Sequence, residues 1–405
     1  MNELIVWWGA RRVGRLTVSS DDRLAFRYAA ATTARDRISA SLPVDPTRDQ
    51  PGTFFSNLLP DGALRDRLAH RLGVSPGNDF AMLAAVGGDC AGALSLLPPG
   101  VTPGEEGGRR ALTAKALQRA LELGAPEVMA GEGLRLSLAG AQDKLPVIAD
   151  GGKLFLPEGA TASTHILKLP SARFRGIAEN EWLMLSLAQG VGLATVAARL
   201  WPLPGQAGSA LLVDRFDRRA GARLHQEDLC QALGRAPSRK YEADGGPSLA
   251  DVIRLLSSES TQPATDIEKV IRWQAFSALA GNADGHAKNL ALVRHEGQVT
   301  LAPFYDLVCT RQWAPLSTRL AFAVGGMSDP GQIGGKHWKR AAQEWEVSPA
   351  YVLETVRRTN AALKKALVDL PARALEAGIP ETIVRSIVGI VRKVSRRSET
   401  LLREG

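Results

Sequence analysis

The order in which two hydrophobic periodicities follow each other is the feature that most constrains the fold of this chain. The first half contains short runs of β-type residues separated by turn residues, which predict strands. These runs are 4–8, 13–18, 23–29, 135–140, 144–150, 153–158, 164–170, 194–203 and 209–219. From Leu224 onward the segments are mostly helical in pattern. Strands followed by helices predict an α+β fold with a sheet lobe and a helical lobe.

Helical patterns also interrupt the strands of the first half. Residues from Phe54 to Leu97 are helical in pattern, and Asp61 stands where it could cap a helix. Further helices are predicted around 113–123 and over AENEWLMLSLAQGVG, which a glycine ends. The Pro- and Gly-rich run LLPPGVTPGEEGG predicts a linker. Together these boundaries predict three domains, at residues 1–105, 106–220 and 221–405.

The cysteines and the apolar runs indicate where the protein works. Cys90, Cys230 and Cys309 are far apart, so they predict neither a disulfide framework nor a zinc site and favour a reducing cytoplasm. The apolar run at the start is too short for a signal peptide, and no later run approaches the roughly 18 residues of a membrane span. We therefore expect a soluble cytoplasmic protein.

The net charge of +8 and the pI near 9.6 favour a polyanionic partner. The strongest basic concentration is near the end of the chain, where Ile387 and Val391 share one helical face while Arg392 and Lys393 point away. A solvated face on a packed terminal helix explains this pattern more simply than contact with nucleic acid does.

One polar cluster interrupts the apolar runs of the second half. In LAGNADGHAKNLALV, Asp284 precedes Asn289 by five positions, and Asp306 follows in LAPFYDLV. Protein kinases use an aspartate, then an asparagine, then a second aspartate in this order, the first to orient the attacking hydroxyl and the others to hold metal. Carboxylate and carboxamide oxygens suit Mg²⁺. Taken alone, an Asp and an Asn at this spacing are also explained by a loop cap or an Asx turn.

An upstream segment strengthens the kinase interpretation. SLAGAQDK, residues 137–144, joins two predicted strands through small residues, as a loop must if its N–H groups are to approach phosphates. It lacks both GxGxxG and the Walker pattern. Lys168 ends a predicted strand where a cation could reach phosphates, and Glu181 on the next helix could orient it. The alternative for Lys168 is an ordinary strand-end lysine whose stem is buried.

Together these pieces resemble the HipA-like serine/threonine kinases, the toxin components of bacterial type II toxin–antitoxin modules. The resemblance rests on SLAGAQDKLPV, STHILKLP, NEW, DRFDR, LHQEDLCQALG, GNADGHAKNLAL and LAPFYDL, and it extends to FFSNLLPDG and GGDCAGAL near the start. It covers nearly the whole chain and is weakest beyond Asp306.

The resemblance implies a protein-kinase-like fold behind a small β-containing domain, with 106–220 as the kinase N-lobe and 221–405 as its helical C-lobe. It implies that Asp284 is catalytic, that Asn289 and Asp306 bind Mg²⁺, and that Ser137 is autophosphorylated with loss of activity. The residues implied to bind ATP are Ala139, Gly140, Ala141, Gln142, Asp143 and Lys144 in the phosphate loop, Lys168, the hinge strand Asp214, Arg215 and Phe216, then His286, Ala287, Lys288, Asn289, Tyr305 and Asp306. Gln226, Glu227 and Asp228 would open the helical lobe and brace the site, although a helix cap explains them equally well.

The implied substrate is a protein, in the family often an aminoacyl-tRNA synthetase such as glutamyl-tRNA synthetase, and the implied partner is a helix-turn-helix antitoxin of the HipB type that holds the kinase on operator DNA. Two alternatives stay open at this point. One is a non-catalytic corepressor that acts with an antitoxin, and the other is a kinase of small molecules.

Overall fold

A computed structural model describes residues 2–104, 107–125, 128, 142–159, 161–205, 208–219 and 221–403. The chain divides into two compact units, each built from several segments. Unit 1 comprises Met1–Pro170, Trp201–Ser238 and Ala291–Gln298, and unit 2 comprises Ser171–Leu200, Arg239–Leu290 and Val299–Gly405. Sheets dominate unit 1 and helices dominate unit 2, so the predicted α+β class is confirmed. The two domain boundaries, at 105 and 220, remain a prediction.

The first sheet of unit 1 has five strands in the order β4-β3-β2-β1-β5. Its elements are β1 (Glu3–Trp8), β2 (Arg11–Val18), β3 (Leu24–Tyr28), β4 (Gln50–Pro51) and β5 (Leu94–Leu97), with helices α1 (Thr53–Ser56), α2 (Gly62–Leu72) and α3 (Asp79–Val86). The predicted meander is confirmed, since β1 to β3 pair antiparallel. The helical prediction is wrong at its end, because Leu94–Leu97 pairs with β1 as a strand. The helices pack their apolar faces on this sheet around Phe26 and Phe55.

The second sheet has six strands in the order β10-β11-β9-β7-β8-β6. Its elements are β6 (Gly107–Ala111), helix α4 (Ala114–Leu123), β7 (Lys144–Asp150), β8 (Lys153–Gly159), β9 (His165–Lys168), β10 (Ala198–Pro202) and β11 (Ser209–Asp214). The hairpin between β7 and β8 turns at Gly151 and Gly152, both with positive φ, as a two-residue primed turn requires. The end of the predicted linker is a strand instead, because β6 pairs with β8. The predicted strand 135–140 lies outside the described residues.

Further strands occupy a region that was predicted to be helical. After the short hairpin of β12 (Arg218–Arg219) and β13 (Ala222–Arg223) comes a three-stranded sheet of β14 (His225–Asp228), β15 (Ala291–His295) and β16 (Gln298–Leu301). The helical prediction from Leu224 onward is wrong for these segments, because their residues pair between strands distant in sequence. Between β14 and β15, Asp228 caps helix α6 (Leu229–Ala232) by accepting from the Gln231 N–H at 2.8 Å, so the cap alternative for Asp228 is confirmed.

The helices of unit 2 are α5 (Ile177–Gly190), α7 (Leu249–Glu259), α8 (Pro263–Ala280), α9 (Gly335–Glu344), α10 (Pro349–Glu376) and α11 (Glu381–Arg403). Helix α10 packs against α5, α8, α9 and α11. On α11, Ile387 and Val391 are buried while Arg392 and Lys393 are exposed, which confirms the predicted packed terminal helix. Among the residues that the structure describes, no helix combines the length and the apolar composition needed to cross a membrane.

Candidate active site

The end of helix α8 sets the position of Asp284. The helix stops at Gly281, which adopts φ +76° as a left-handed cap. Asn282 then forms the Asx turn, since its Oδ1 accepts the N–H of Asp284 at 3.1 Å. Gly285 lets the loop pass close to the helix, because a Cβ there would lie 2.9 Å from the ring of Trp273. A buried aromatic side chain and two glycines thus hold the loop in one place.

The carboxylate of Asp284 is accessible and interacts with polar neighbours. Its side chain is 46% exposed, the Tyr241 hydroxyl donates to its Oδ1 at 2.5 Å, and His286 Nε2 lies 4.0 Å from the same oxygen. The low-polarity surroundings raise the pKa of Asp284 and the charge of Asp306 adds to this, while the hydrogen bond from Tyr241 and the charge of Lys240 lower it. A carboxylate that is close to solvent and held by polar neighbours suits a general base.

Asn289 and Asp306 form a pair suited to a metal ion. Asn289 Nδ2 donates to Asp306 Oδ2 at 3.2 Å, which turns the Asn289 carbonyl oxygen away. That oxygen, Oδ1, is buried and has no hydrogen-bond partner among the described residues, although buried acceptors are nearly always satisfied. Asp306 adopts φ +57°, a strained conformation for a residue with a side chain. One carboxylate and one open carboxamide oxygen fit Mg²⁺, which takes few protein ligands besides phosphate and water.

His286, Ala287, Lys288 and Tyr305 complete this side of the site. Burial lowers the pKa of His286 to about 3, so its ring is neutral at physiological pH and cannot attract phosphate as a cation. Ala287 and Lys288 are buried in the same loop, and the Tyr305 hydroxyl donates to the carbonyl of Lys288 at 2.8 Å. Lys288 and Tyr305, which are 17 positions apart in the sequence, are therefore in contact within unit 2.

The other predicted ATP-binding residues lie in unit 1. Lys144 on β7 is the register partner of Lys168 on β9, so both side chains lie on one face of the sheet. That face of the sheet therefore carries two cations, a charge that suits phosphate oxygens. Next to them, Gln142 Nε2 donates to the Leu169 carbonyl at 2.8 Å, and Asp143 pairs with Arg67 at 2.5 Å. Ser137, Ala139, Gly140 and Ala141 lie outside the described residues, and the pairing of Lys168 with Glu181 stays a prediction.

The predicted hinge strand is shorter than expected. Strand β11 ends at Asp214, whose carboxylate lies 3.0 Å from His165 Nε2. Arg215 already donates its N–H to the carbonyl of Thr164 at 3.0 Å, and Phe216 lies in a turn. Arg215 and Phe216 therefore lie beyond the end of the predicted hinge strand, and their contact with adenine stays a prediction.

Those charges form what we call the buried ion cluster, made of Asp89, Arg215, Asp217, Arg218 and Arg223. Arg215 binds Asp217 through two nitrogens, at 2.6 and 2.8 Å, and the Gly92 N–H donates to Asp217 at 2.7 Å. Asp89 accepts from Arg218 at 3.0 Å and lies 2.7 Å from Arg223. Burial opposes ionisation of Asp217, but the charge and hydrogen bonds of Arg215 bring its pKa down to about 2. The DRFDR motif thus ties β11 to the loop before β5.

Glu227 has a comparable structural role in unit 1. It is fully buried, accepts from the Ser39 hydroxyl at 2.6 Å and from Arg294 at 2.8 Å, and links β14, β15 and the loop after β3. Its partly buried neighbour Gln226 lies on the same strand. These contacts give Glu227 a place in the packing of unit 1.

Comparison with known families decides the relationship. The model of the HipA-like C-terminal domain matches residues 136–367, and the model of the HipA N-terminal domain matches residues 4–97. The chain belongs to the HipA family.

Individual HipA-family relatives agree along most of the chain. Y4mE of Sinorhizobium fredii is 39% identical over 391 residues, covering 92% of each chain. The serine/threonine-protein kinase toxin HipA of Shewanella oneidensis is 32% identical over 73% of this chain and 72% of its own. The solved structure of HipA from that organism, in a complex with HipB and operator DNA, has a TM-score of 0.84 and 27% identity, covering 99% of this chain and 98% of the other.

Sequence reasoning missed Tyr241 and Asn282 in this HipA-family site. Asn282 lies within the polar cluster, so its proximity to Asp284 could have marked it. Tyr241 is 43 positions from Asp284, and its only local signal is the Gly245-Gly246 pair that follows it. A pair of glycines after an aromatic residue indicates a tight turn but does not say what the aromatic side chain contacts.

Proposed function

We propose that this HipA-family protein is an ATP- and Mg²⁺-dependent serine/threonine protein kinase that acts as the toxin of a type II toxin–antitoxin module. The observation that carries the proposal is the pairing of Asn289 with Asp306 beside a buried carboxamide oxygen left open among the described residues, with Asp284 close enough for the charge of Asp306 to raise its pKa. A protein that only bound an antitoxin would gain nothing from a strained aspartate and an unsatisfied acceptor, because both reduce stability.

The residues have separate tasks in the proposed reaction. Asp284 orients the acceptor hydroxyl and receives its proton, and Lys168 and Lys144 attract the phosphate oxygens of ATP. Asn289 and Asp306 would hold Mg²⁺, which neutralises charge on the phosphates when bound. Phosphoryl transfer needs little covalent assistance, so position and charge supply most of the rate enhancement.

The relatives suggest the partners. Because the similar Shewanella protein was solved with HipB and operator DNA, we propose that a helix-turn-helix antitoxin binds this chain and carries it to operator DNA. An aminoacyl-tRNA synthetase, with glutamyl-tRNA synthetase as the first candidate, is the proposed substrate. The three cysteines are buried and free, which agrees with action in a reducing cytoplasm.

Incubation with γ-labelled ATP and a panel of purified synthetases tests the activity. We expect label on one synthetase with wild-type protein, none after chelation of Mg²⁺, and labelling slower by about 10²-fold or more with Asp284→Asn. Labelling that is equally strong with wild-type protein and with Asp284→Asn would contradict the proposed active site. A label that appears on small molecules but on no protein would instead indicate a small-molecule kinase.

We also propose that the kinase inactivates itself by phosphorylating Ser137. Phosphoserine adds a charge of about −1.5 to −2 and three acceptor oxygens, which would repel the phosphates of ATP. After incubation with ATP and Mg²⁺, peptide mass spectrometry should find one phosphate at Ser137 in wild-type protein and none in Asp284→Asn. A Ser137 phosphoform that binds ATP normally would contradict self-inactivation.

A further inference from the structure

Tyr241 lies in a loop that is attached on both sides to the core of unit 2. The preceding residue, Lys240, accepts the N–H of Ala287 through its carbonyl at 3.2 Å. The following residue, Glu242, donates its N–H to the Ala321 carbonyl at 3.2 Å and accepts the N–H of Ala323 at 2.7 Å. Tyr241 is therefore held between residues 281–289, which we call the catalytic loop in the proposed function, and the chain beyond Asp306.

The turn after Tyr241 explains why the loop has this conformation. The carbonyl of Tyr241 accepts the N–H of Gly246 at 2.9 Å. Gly245 adopts φ +78°, and a Cβ on Gly246 would lie 2.4 Å from the Arg239 carbonyl oxygen. The two glycines are needed for the chain to fold back on itself, and the ring of Tyr241 is thereby directed at the catalytic loop.

The side chain of Tyr241 meets two members of that loop. Its ring packs edge-on against His286 with 5.0 Å between ring centroids, and its hydroxyl donates to Asp284 Oδ1 at 2.5 Å. Both this hydrogen bond and the 4.0 Å approach of His286 Nε2 involve Oδ1. The second carboxylate oxygen, on a side chain that is nearly half exposed, takes part in neither contact.

We propose that Tyr241 is a positioning residue for phosphoryl transfer, in which its hydroxyl fixes the rotamer of Asp284 by holding Oδ1 and so presents Oδ2 to the acceptor hydroxyl. The proposal rests on the function proposed above. Hydrogen bonds to charged groups are among the stronger ones in proteins, so a phenol at this distance restrains the carboxylate well. An Asp284 free to rotate would spend less time in the productive orientation.

The substitution Tyr241→Phe removes the hydroxyl and keeps the ring on His286. We expect kcat to fall by about 10- to 100-fold, the range that corresponds to a hydrogen bond with a charged group. The KM for ATP and the thermal shift produced by ATP with Mg²⁺ should stay at their wild-type values, because Tyr241 is not placed among the nucleotide ligands. The matched control is Tyr351→Phe, at an exposed position on α10, which should leave kcat unchanged.

A purely structural role for Tyr241 predicts a different result, since kcat per folded molecule would then stay at the wild-type value. A rise in kcat would mean that the hydroxyl blocks the acceptor. Either result would overturn the proposal.

Thermal unfolding of Tyr241→Phe, Asp284→Ala and the double variant tests the contact without any catalysis. If the hydroxyl holds Asp284, the double variant should melt close to Asp284→Ala alone, because the contact is already lost. Additive melting shifts would overturn the positioning role. If wild-type protein transfers no phosphate to any acceptor, the proposed kinase function fails, while the melting experiment still decides whether Tyr241 holds Asp284.

Discussion

The buried ion cluster of unit 1 and the loop of residues 281–289 in unit 2, which carries Asp284 and Asn289, both come from charged motifs, yet their charges have opposite surroundings. In the cluster, Arg215 and Asp217 are almost inaccessible and meet through two hydrogen bonds. In the loop, Asp284 is nearly half exposed, and the buried oxygen of Asn289 has no partner among the described residues. Charge density alone therefore does not distinguish a structural motif from a reactive one.

The two regions differ in the hydrogen-bonding capacity that their polar groups still have for a ligand. A buried charge that is fully paired has no capacity left, and removing its partner harms stability. A polar group left open inside the fold reduces stability unless something binds it. The cluster also has such atoms among the described residues, on Asp89, Arg218 and Arg223, so an open group indicates a site only where partly exposed groups that suit a ligand stand beside it, as Asp306 does beside Asn289. The sequence motif DRFDR resembles a ligand-binding element, but most of its charges are paired inside the fold and serve stability.

The largest expected effect is on catalysis, from Asp284→Asn. Asparagine keeps the shape of the side chain but cannot take the acceptor proton, so phosphoryl transfer should fall by about 10² to 10⁴-fold. Initial rates with labelled ATP measure this, and an ATP-induced thermal shift equal to that of wild type shows that the fold is kept. Asp369→Asn on the exposed face of α10 is the control. A variant as fast as wild type would show that Asp284 is not the base.

The matching substitution in the buried ion cluster should act on stability. Asp217→Ala leaves Arg215 buried without its bidentate partner, and breaking a buried pair in this way costs about 3 to 5 kcal/mol. Denaturant unfolding measures the loss. Asp150→Ala, which breaks the exposed pair with Arg109, should cost no more than about 1 kcal/mol. Equal losses in the two variants would contradict the structural role of the cluster.

A third effect concerns pH. Burial lowers the pKa of His225 to about 4, so the folded state excludes a proton that the unfolded chain binds below its ordinary pKa near 6.5. Stability is therefore present above pH 6.5 and is lost as pH falls towards 4, by about 3 kcal/mol from this residue. In His225→Gln the slope of unfolding free energy against pH should be shallower across that window, although His286 keeps part of it.

The slope is the decisive quantity, because His225→Gln also changes packing against Trp8 and Phe54. His70→Gln on the exposed side of α2 controls for the loss of an imidazole. An unchanged slope in His225→Gln would mean that His225 does not remain neutral in the folded protein.

The smallest expected effect is on the stability of the ligand-free protein, from Asp306→Gly. Glycine relieves the left-handed strain at φ +57° but adds freedom to the unfolded chain, so the free energy of unfolding should change by less than about 1 kcal/mol. Asp22→Gly at the same φ in an exposed turn is the matched control. Of these two variants, only Asp306→Gly should lose the thermal shift from ATP with Mg²⁺. If Asp306→Gly keeps that shift, Asp306 is not a metal ligand.

Local patterns were the predictable part of the structure. Alternation in 4–8 and 13–18 and the Asp-Gly-Gly turn at 150–152 were enough to predict a meander and a hairpin, because strand pairing there is between neighbours. The order of Asp284, Asn289 and Asp306 was also visible in the sequence, because all three lie in one short stretch of the chain.

Contacts between distant residues were not predictable. Strand β15 pairs with β14, which lies more than sixty positions earlier, and the apolar run of four residues at 290–293 does not by itself distinguish a strand from a helix. Arg215 could not be assigned to a structural role until Asp217 and Asp89 were placed around it. For the same reason Tyr241 could not be connected with Asp284.

The interrupted path of unit 1 has a consequence for synthesis of the protein on the ribosome. Residues 239–290 belong to unit 2 and are translated between β14 and β15. Glu227 therefore emerges well before Arg294, the cation that pairs with it in the finished fold. At about 5–20 residues per second, unit 1 waits several seconds for its last strand.

Asp306 is translated later still, after that strand. We therefore expect a ribosome-bound chain to carry Asp284 and Asn289 before it has both proposed metal ligands, so the proposed activity cannot begin until Asp306 has emerged. That delay gives the proposed antitoxin an interval in which to bind the growing protein before the proposed activity starts.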